Sequence, residues 1–448
     1  MNARGLIIAA PASNSGKTFI TLGTLRALQR RGISVASAKV GPDYIDPAFH
    51  SAATKRICPN VDGWAMRDAT LFGVLDGLSQ TSDMIICEGV MGLFDGATLP
   101  VDAASNKDGS PADIARRTGW PVVLVIDANA QAASAAALIH GFASFDPEVH
   151  IKGVVFNKVG GPGHVQLLKN ACEKYLPHIQ VLGYVPRQTD LALPERHLGL
   201  VLAQEHPELE NFLEQSADFL ERHIDLDKLT ALCAPTTLNG QTEKQPFLPP
   251  LGQRIAIAKD QAFAFIYPAL IDHWQQQGAE ISFFSPLKDE TPSDGCDAIY
   301  LPGGYPELHT QILANNTAFL NATRSAHDAQ KHIFGECGGY MTLGKTLQDG
   351  EGHTHAMAGI LDLETSFHKR KLHLGYREVT LLEDTPFATK GSVLRGHEFH
   401  YASILKEEGR ALFKAVNASN IDTGPCGLCK GNTFASFIHI IDQLSGFK

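Results

Sequence analysis

Residues 11–18 read Pro-Ala-Ser-Asn-Ser-Gly-Lys-Thr, between an apolar run at 5–10 and a helical pattern at 18–31. A buried strand that turns through a short loop into a helix restricts the fold sharply. Backbone N–H groups and the helix dipole converge there on an anion. Ser13, Asn14, Ser15 and Gly16 would form a phosphate cradle, Lys17 would reach the β/γ-phosphates, and Thr18 would ligate Mg2+. Pro11 stands where the G-x-x-x-x-G-K-[ST] pattern has its first glycine.

Other short apolar runs follow at 34–40, 84–87, 121–126, 153–156 and 181–185, with helical stretches at 69–78 and 166–175 among the intervening segments. Such alternation predicts a parallel sheet covered by helices on both faces. The polar, Pro-rich stretch 235–252 reads as a linker, which places one domain at 1–234 and a second at 253–448. The alternation restarts at 254–258, 280–284, 298–301 and 333–335, and further strands are expected at 377–382, 398–404 and 434–440. A chain of 448 residues exceeds what one core usually fills, so two α/β domains are expected.

In an open α/β sheet, chemistry collects at the carboxyl ends of the strands. Lys39, Asp43, Tyr44 and Asp46 follow the second strand, and Glu88 follows the third. Mg2+ needs only one or two carboxylates beside the phosphates, and Glu88 and then Asp43 are best placed to supply them. Asn157 ends another strand, within reach of the nucleotide.

Phe334-Gly-Glu-Cys337-Gly338-Gly339-Tyr340 has the layout of a nucleophile elbow with cysteine in place of serine. The helix behind it is expected to lower the thiol pKa. Gly338 and Gly304, the latter from Pro302-Gly-Gly-Tyr305, are candidates for an oxyanion hole. His439 is the candidate base. His397 and His400 fall on opposite faces of an alternating strand, which argues against a metal pair. Cys426 and Cys429 lie in a Gly/Pro-rich stretch without a second pair, so they do not complete a zinc site.

The net charge of −10 argues against a broad nucleic-acid surface. No apolar stretch reaches the ~20 residues that cross a bilayer, so no membrane partner is expected. Eight scattered cysteines do not make a disulfide scaffold, and a cytoplasmic location is expected.

Eight segments together resemble the corrin a,c-diamide synthases, glutamine-dependent amidoligases of vitamin B12 biosynthesis. They are Ala10-Pro11 with Ser15-Gly-Lys-Thr18, Lys39 to Pro47, Glu88 to Gly96, Leu193-Pro-Glu-Arg196-His197-Leu-Gly199, Leu301 to Glu307, Glu336 to Gly339, Arg395 to Tyr401, and Ala435 to His439. The Ala-Pro start of the phosphate loop is the form that this family shows. The resemblance implies a dethiobiotin-synthetase-like N-terminal domain and a class I glutamine amidotransferase C-terminal domain. It implies Cys337 as nucleophile and His439 as its base. It implies ATP, glutamine and a corrin as substrates, with Lys39, Tyr44, Asp46, Arg196 and His197 near the corrin, and it leaves room for a homodimer. Familiar class I amidotransferases carry an acid two residues after the histidine; that position here is Ile441, which leaves open what orients His439.

Two rival readings fit less well. Cobyric acid synthases are longer and usually keep the first glycine of the loop. Partition-type ATPases carry an extra lysine early in the loop and have no need of Cys337.

Overall fold

The computed structural model describes residues 3–100, 102, 106–188, 191, 195–196, 199–238 and 248–445; of 195–196 and 199–200 only the backbone is described. The chain divides into two compact units. The first comprises Met1–Trp64, Asp68–Gly96 and Ala104–Lys244; the second comprises Ala65–Arg67, Ala97–Ala103 and Gln245–Lys448. Part of the expected linker, 239–247, lies outside the described residues.

The first unit is built on seven parallel strands. Their order across the sheet is Asn60–Val61, Val35–Val40, Met84–Glu88, Arg4–Ala9, Val122–Asp127, Ile151–Val159 and Gln180–Pro186. Ala234–Pro235 adds an antiparallel pairing to Arg4–Ala9. Leu6, Ile7 and Ile8 are fully buried, as are Val123, Leu124 and Val125. Runs buried on both faces show no alternation, so they read in sequence as continuous apolar blocks. The chain leaves Arg4–Ala9 for strands on one side and later returns to the other side. The loop after that strand therefore sits where the strand order reverses, the usual ligand crevice of such sheets.

The helix Lys17–Arg30 packs against Leu209–Glu221, a helix that the apolar-run reading did not separate. Arg26, buried in the first helix, donates to Glu210 and Glu214 on the second. This pairing closes the helical layer over the phosphate-loop helix.

The second unit has a ten-stranded sheet. Five parallel strands run in the order Glu280–Phe284, Arg254–Ala258, Ala298–Leu301, His332–Glu336 and Thr433–Ser436. Antiparallel strands continue it as Asp422–Lys430, Arg410–Asn417, His373–Leu381, Val393–His400 and His439–Gln443. Its core includes Phe263, Ile299, Leu301, Phe319, Ile333, Met341, Leu343 and Ala435.

Three details differ from the sequence reading. The apolar block 434–440 is two strands, broken at Phe437 and Ile438, and the block 398–404 is likewise divided between two strands. In the first block Ser436 Oγ accepts from the Ile438 N–H, a local side-chain bond that turns the backbone out of its ladder. The stretch with Cys426 and Cys429 is not a loop but the strand Asp422–Lys430, with the two cysteines paired opposite Phe413 and Arg410. Strand alternation sends their side chains to opposite faces.

Candidate functional site

The phosphate loop carries its geometry in two left-handed residues, Asn14 at φ 62 and Gly16 at φ 87. Gly16 is required twice over, because a Cβ there would stand 2.2 Å from Asn157 Nδ2. Asn157 donates to the Ser15 carbonyl at 3.0 Å, and Lys158 donates to the Asn14 carbonyl at 3.1 Å. The loop is thus tied from the strand Ile151–Val159. Ser15 Oγ donates to the Ala12 carbonyl, while Ser13 is exposed at the loop's outer side.

Lys17 is buried, and its ammonium donates to the carbonyl of Met91 at 2.6 Å. Burial first, and then the nearby Lys39, lower its pKa to about 8, against the pull of Glu88 and Asp46. Thr18 Oγ1 donates to Glu88 Oε1 at 2.8 Å and lies 3.5 Å from Asp46 Oδ2.

Lys39 is the centre of a buried charge cluster. Its Nζ is 2.5 Å from Asp46 Oδ2, 2.7 Å from Glu88 Oε1 and 3.9 Å from Asp43 Oδ2. Burial alone would discharge this lysine, but the three carboxylates hold its pKa well above the ordinary value. Burial, then Asp43, raises Asp46 to about 6. Asp43 shapes the loop as well: its Oδ1 accepts from the N–H groups of Ile45 and Asp46, where the helix Asp46–Thr54 begins. Tyr44 lies in the same turn, with its hydroxyl buried.

His50 completes the cluster and was not singled out from sequence. Its Nε2 is 2.7 Å from Glu88 Oε2, and both residues are inaccessible to solvent. Burial would lower its pKa, but Cys58 and Glu88 hold it at about 10, so the imidazole is charged at neutral pH. Burial would likewise raise Glu88, yet Lys39 and His50 keep it well below the usual carboxylate range. The readable signal was the spacing: Asp46 and His50 are four residues apart on one helix, hence on one face. Thr18, with Glu88 and Asp46 beside it and Asp43 on the far side of Lys39, supplies hard oxygen donors of the kind that suit Mg2+. Arg196 has only its backbone described, and His197 lies outside the described residues.

In the second unit, Cys337 stands between the strand His332–Glu336, which pairs with Ala298–Leu301, and the short helix Gly338–Leu343. Its φ of 48 and ψ of −98 are strained for a non-glycine residue, as an elbow requires. The thiol pKa is raised rather than lowered. Burial is the main cause, Glu307, Glu398 and Glu336 add to it, and only the Gly338 amide works the other way. A buried site among carboxylates outweighs one turn of helix dipole.

Gly303 shows how closely His439 approaches Cys337. A Cβ there would lie 2.4 Å from His439 Cε1, 3.1 Å from Nε2 and 3.3 Å from Cys337 Cβ. The structure therefore brings Cys337 and His439 to one space. The two oxyanion candidates also meet, since a Cβ on Gly338 would lie 3.2 Å from the Gly304 amide nitrogen. His439 is buried, and its Nδ1 is 3.7 Å from Glu336 Oε2. Cross-strand from it stands His397, whose pKa is lowered to about 3 by burial first and then by His439.

His400 faces the other way, as alternation requires. It stacks on Phe437 at 3.8 Å, while its Nε2 is 3.0 Å from Glu398 Oε1. His373 stacks on His400 from the paired strand, and Arg377 binds Glu398 at 2.7 Å. Glu398 is thereby held to a pKa of about 2 despite its burial. This patch packs through His400 on Phe437, two residues before His439.

Among the described residues no helix is long and apolar enough to cross a membrane. Residues 6–201 match the CobQ/CobB/MinD/ParA nucleotide binding domain, and residues 254–445 match the CobB/CobQ-like glutamine amidotransferase domain. The hydrogenobyrinate a,c-diamide synthase of Brucella anthropi is 50% identical over 442 residues, covering 98% of each chain. The enzymes of that name from Agrobacterium fabrum and Rhodobacter capsulatus are each 46% identical, over 444 and 438 residues; they cover 98% of this chain and 99% and 98% of their own. With a nucleotide-binding half, an amidotransferase half and relatives similar from end to end, the chain belongs to the hydrogenobyrinate a,c-diamide synthase family.

Proposed function

We propose that the chain amidates the a and c side-chain carboxylates of hydrogenobyrinate, using ATP and glutamine. One observation carries the reading: the two units present two different chemistries. Thr18, Lys39 and Glu88 cluster beneath a phosphate loop in one. In the other, Cys337 and His439 share the surroundings of Gly303.

In the first unit the substrate carboxylate oxygen attacks the γ-phosphorus of ATP, giving an acyl phosphate and ADP. Lys17 leaves the Met91 carbonyl for the phosphates, and the loop amides hold their oxygens. Thr18, Glu88 and Asp43 would hold Mg2+, which supplies positive charge to the phosphates. Lys39 is tied to Asp46 and Glu88 and orients a carboxylate or acyl phosphate beside them. Arg196 and His197 would meet the corrin's other carboxylates.

In the second unit Cys337 Sγ attacks the amide carbon of glutamine while its proton passes to His439. The oxyanion that forms is met by the Gly304 and Gly338 amides. The C–N bond breaks, and His439 gives its proton to the leaving ammonia. Water then cleaves the thioester to glutamate and restores the thiol. Ammonia displaces phosphate from the acyl phosphate and forms the amide. Because burial keeps the thiol protonated, transfer to His439 is essential to the attack.

The test is incubation with ATP, Mg2+, glutamine and either hydrogenobyrinate or cobyrinate, with products read by mass. Two successive conversions of a carboxylate to an amide on hydrogenobyrinate are expected. No mass change with either corrin would overturn the reading; a change with cobyrinate alone would move the substrate.

A further inference from the structure

The position that would carry an acid two residues after the base holds Ile441, yet His439 does face a carboxylate. We propose that Glu336, the residue immediately before the nucleophile, is the positioning residue for His439. The proposal rests on the reading of Cys337 and His439 as a glutaminase pair.

Glu336 closes the strand His332–Glu336 and is 3% exposed. Both its oxygens are held. Oε1 accepts from the Ile440 N–H at 2.8 Å, and Oε2 accepts from the Tyr300 hydroxyl at 2.5 Å. Burial, with Glu336 next, pushes the Tyr300 pKa well up, so this phenol remains a donor. The carboxylate cannot rotate away without losing two buried bonds, each costly to leave unmade. Pinned in this way, Oε2 stands 3.7 Å from His439 Nδ1.

The opposite edge of the imidazole, Cε1 with Nε2, faces Gly303, as does Cys337 Cβ. A carboxylate at Nδ1 favours the tautomer with its proton there, which leaves the Nε2 lone pair for the thiol. When Nε2 takes the thiol proton, the new imidazolium lies beside a negative charge, and the 3.7 Å separation shortens to a hydrogen bond. Glu336 takes no proton in this scheme. Cys337 and His397 also stand close to the ring. The low pKa of His397 leaves it uncharged, so it does not repel the imidazolium.

The same elbow thus delivers nucleophile and orienting acid as consecutive residues. On either side of the positive φ at Cys337, Cys337 Cβ faces Gly303 while the Glu336 carboxylate meets the Ile440 N–H.

The test compares Glu336→Gln and Glu336→Asp with the native protein. Glu336→Gln keeps the volume and an acceptor for Ile440. Glutamine hydrolysis should fall about a hundredfold in kcat, with KM for glutamine unchanged within about twofold. Alkylation of Cys337 by iodoacetamide should slow about tenfold at pH 7, and the gap should narrow as pH rises and the thiol ionises unaided. Glu336→Asp keeps the charge but withdraws it from Nδ1, so about a tenfold loss in kcat is expected. A native kcat and a native pH profile of alkylation in either folded variant would overturn the assignment. Should Cys337→Ala still hydrolyse glutamine, the glutaminase reading itself fails, whatever the Glu336 variants do.

Discussion

His50 Nε2 and Glu88 Oε2 are 2.7 Å apart, with both side chains inaccessible to water. The imidazolium fixes one oxygen of Glu88 and leaves the other to Thr18 and Lys39. Folding raises the His50 pKa from 6.5 to about 10, so its contribution to stability is fully present below pH 6.5 and is lost as pH rises through 10. Thermal midpoints of the native protein should therefore drop between pH 7 and 10, and the drop should be shallower in His50→Gln. Equal slopes would show that the imidazole is not charged in the folded state.

Glu88→Gln keeps the shape of this site and removes the charge that Mg2+, Lys39 and His50 share. Acyl-phosphate formation should slow by about a hundredfold and require more Mg2+. Titrating Mg2+ at saturating ATP checks this. A change in corrin affinity alone would place Glu88 in the substrate pocket instead.

Lys17 has a pKa of about 8 because it is buried beside Lys39. Phosphates bind its charged form, so ATP affinity should fall as pH rises from 7 to 9, and binding at pH 9 should take up a proton. Calorimetry in two buffers of different ionisation enthalpy measures that uptake. Lys17→Ala should abolish the pH dependence and lower amidation more than about a hundredfold with either nitrogen source.

Cys337→Ala should lose synthesis from glutamine and keep synthesis from high ammonium at raised pH. His439→Ala should be nearly as severe, because the thiol pKa is raised by burial. Cys426→Ala and Cys429→Ala should leave both activities intact, as these cysteines occupy opposite faces of one strand. Product mass with each nitrogen source separates the outcomes.

Gly303→Ala would set a methyl group 2.4 Å from His439 Cε1. The ring must move, and hydrolysis of glutamine should fall by about a hundredfold or more while ammonium-driven synthesis persists. Unchanged hydrolysis would mean that the base stands elsewhere during turnover.

The parallel strands were legible because burial on both faces writes uninterrupted apolar blocks, as at Leu6–Ile8 and Val122–Ile126. The strand-to-loop context of Lys17 and Cys337 was legible for the same reason. His50 and Glu336 were harder to read, since each meets a partner far away in sequence: Glu88 for one, His439 for the other. The break at Phe437 and Ile438 was hidden too, because apolar residues continue across it while a serine hydroxyl turns the backbone. The thiol environment was misread for a related reason. Helix position is local, whereas burial by the surrounding fold, and then Glu307 and Glu398 from distant segments, raise the Cys337 thiol.

The strand that carries His439 is the last to be made of the ten in its sheet, and its ladder neighbour is Val393–His400. Lys17, Lys39 and Glu88 all lie within the first 88 residues. During synthesis this cluster can assemble while Cys337 still lacks both His439 and the Ile440 amide that holds Glu336. A chain that ends before this strand is therefore expected to leave glutamine intact.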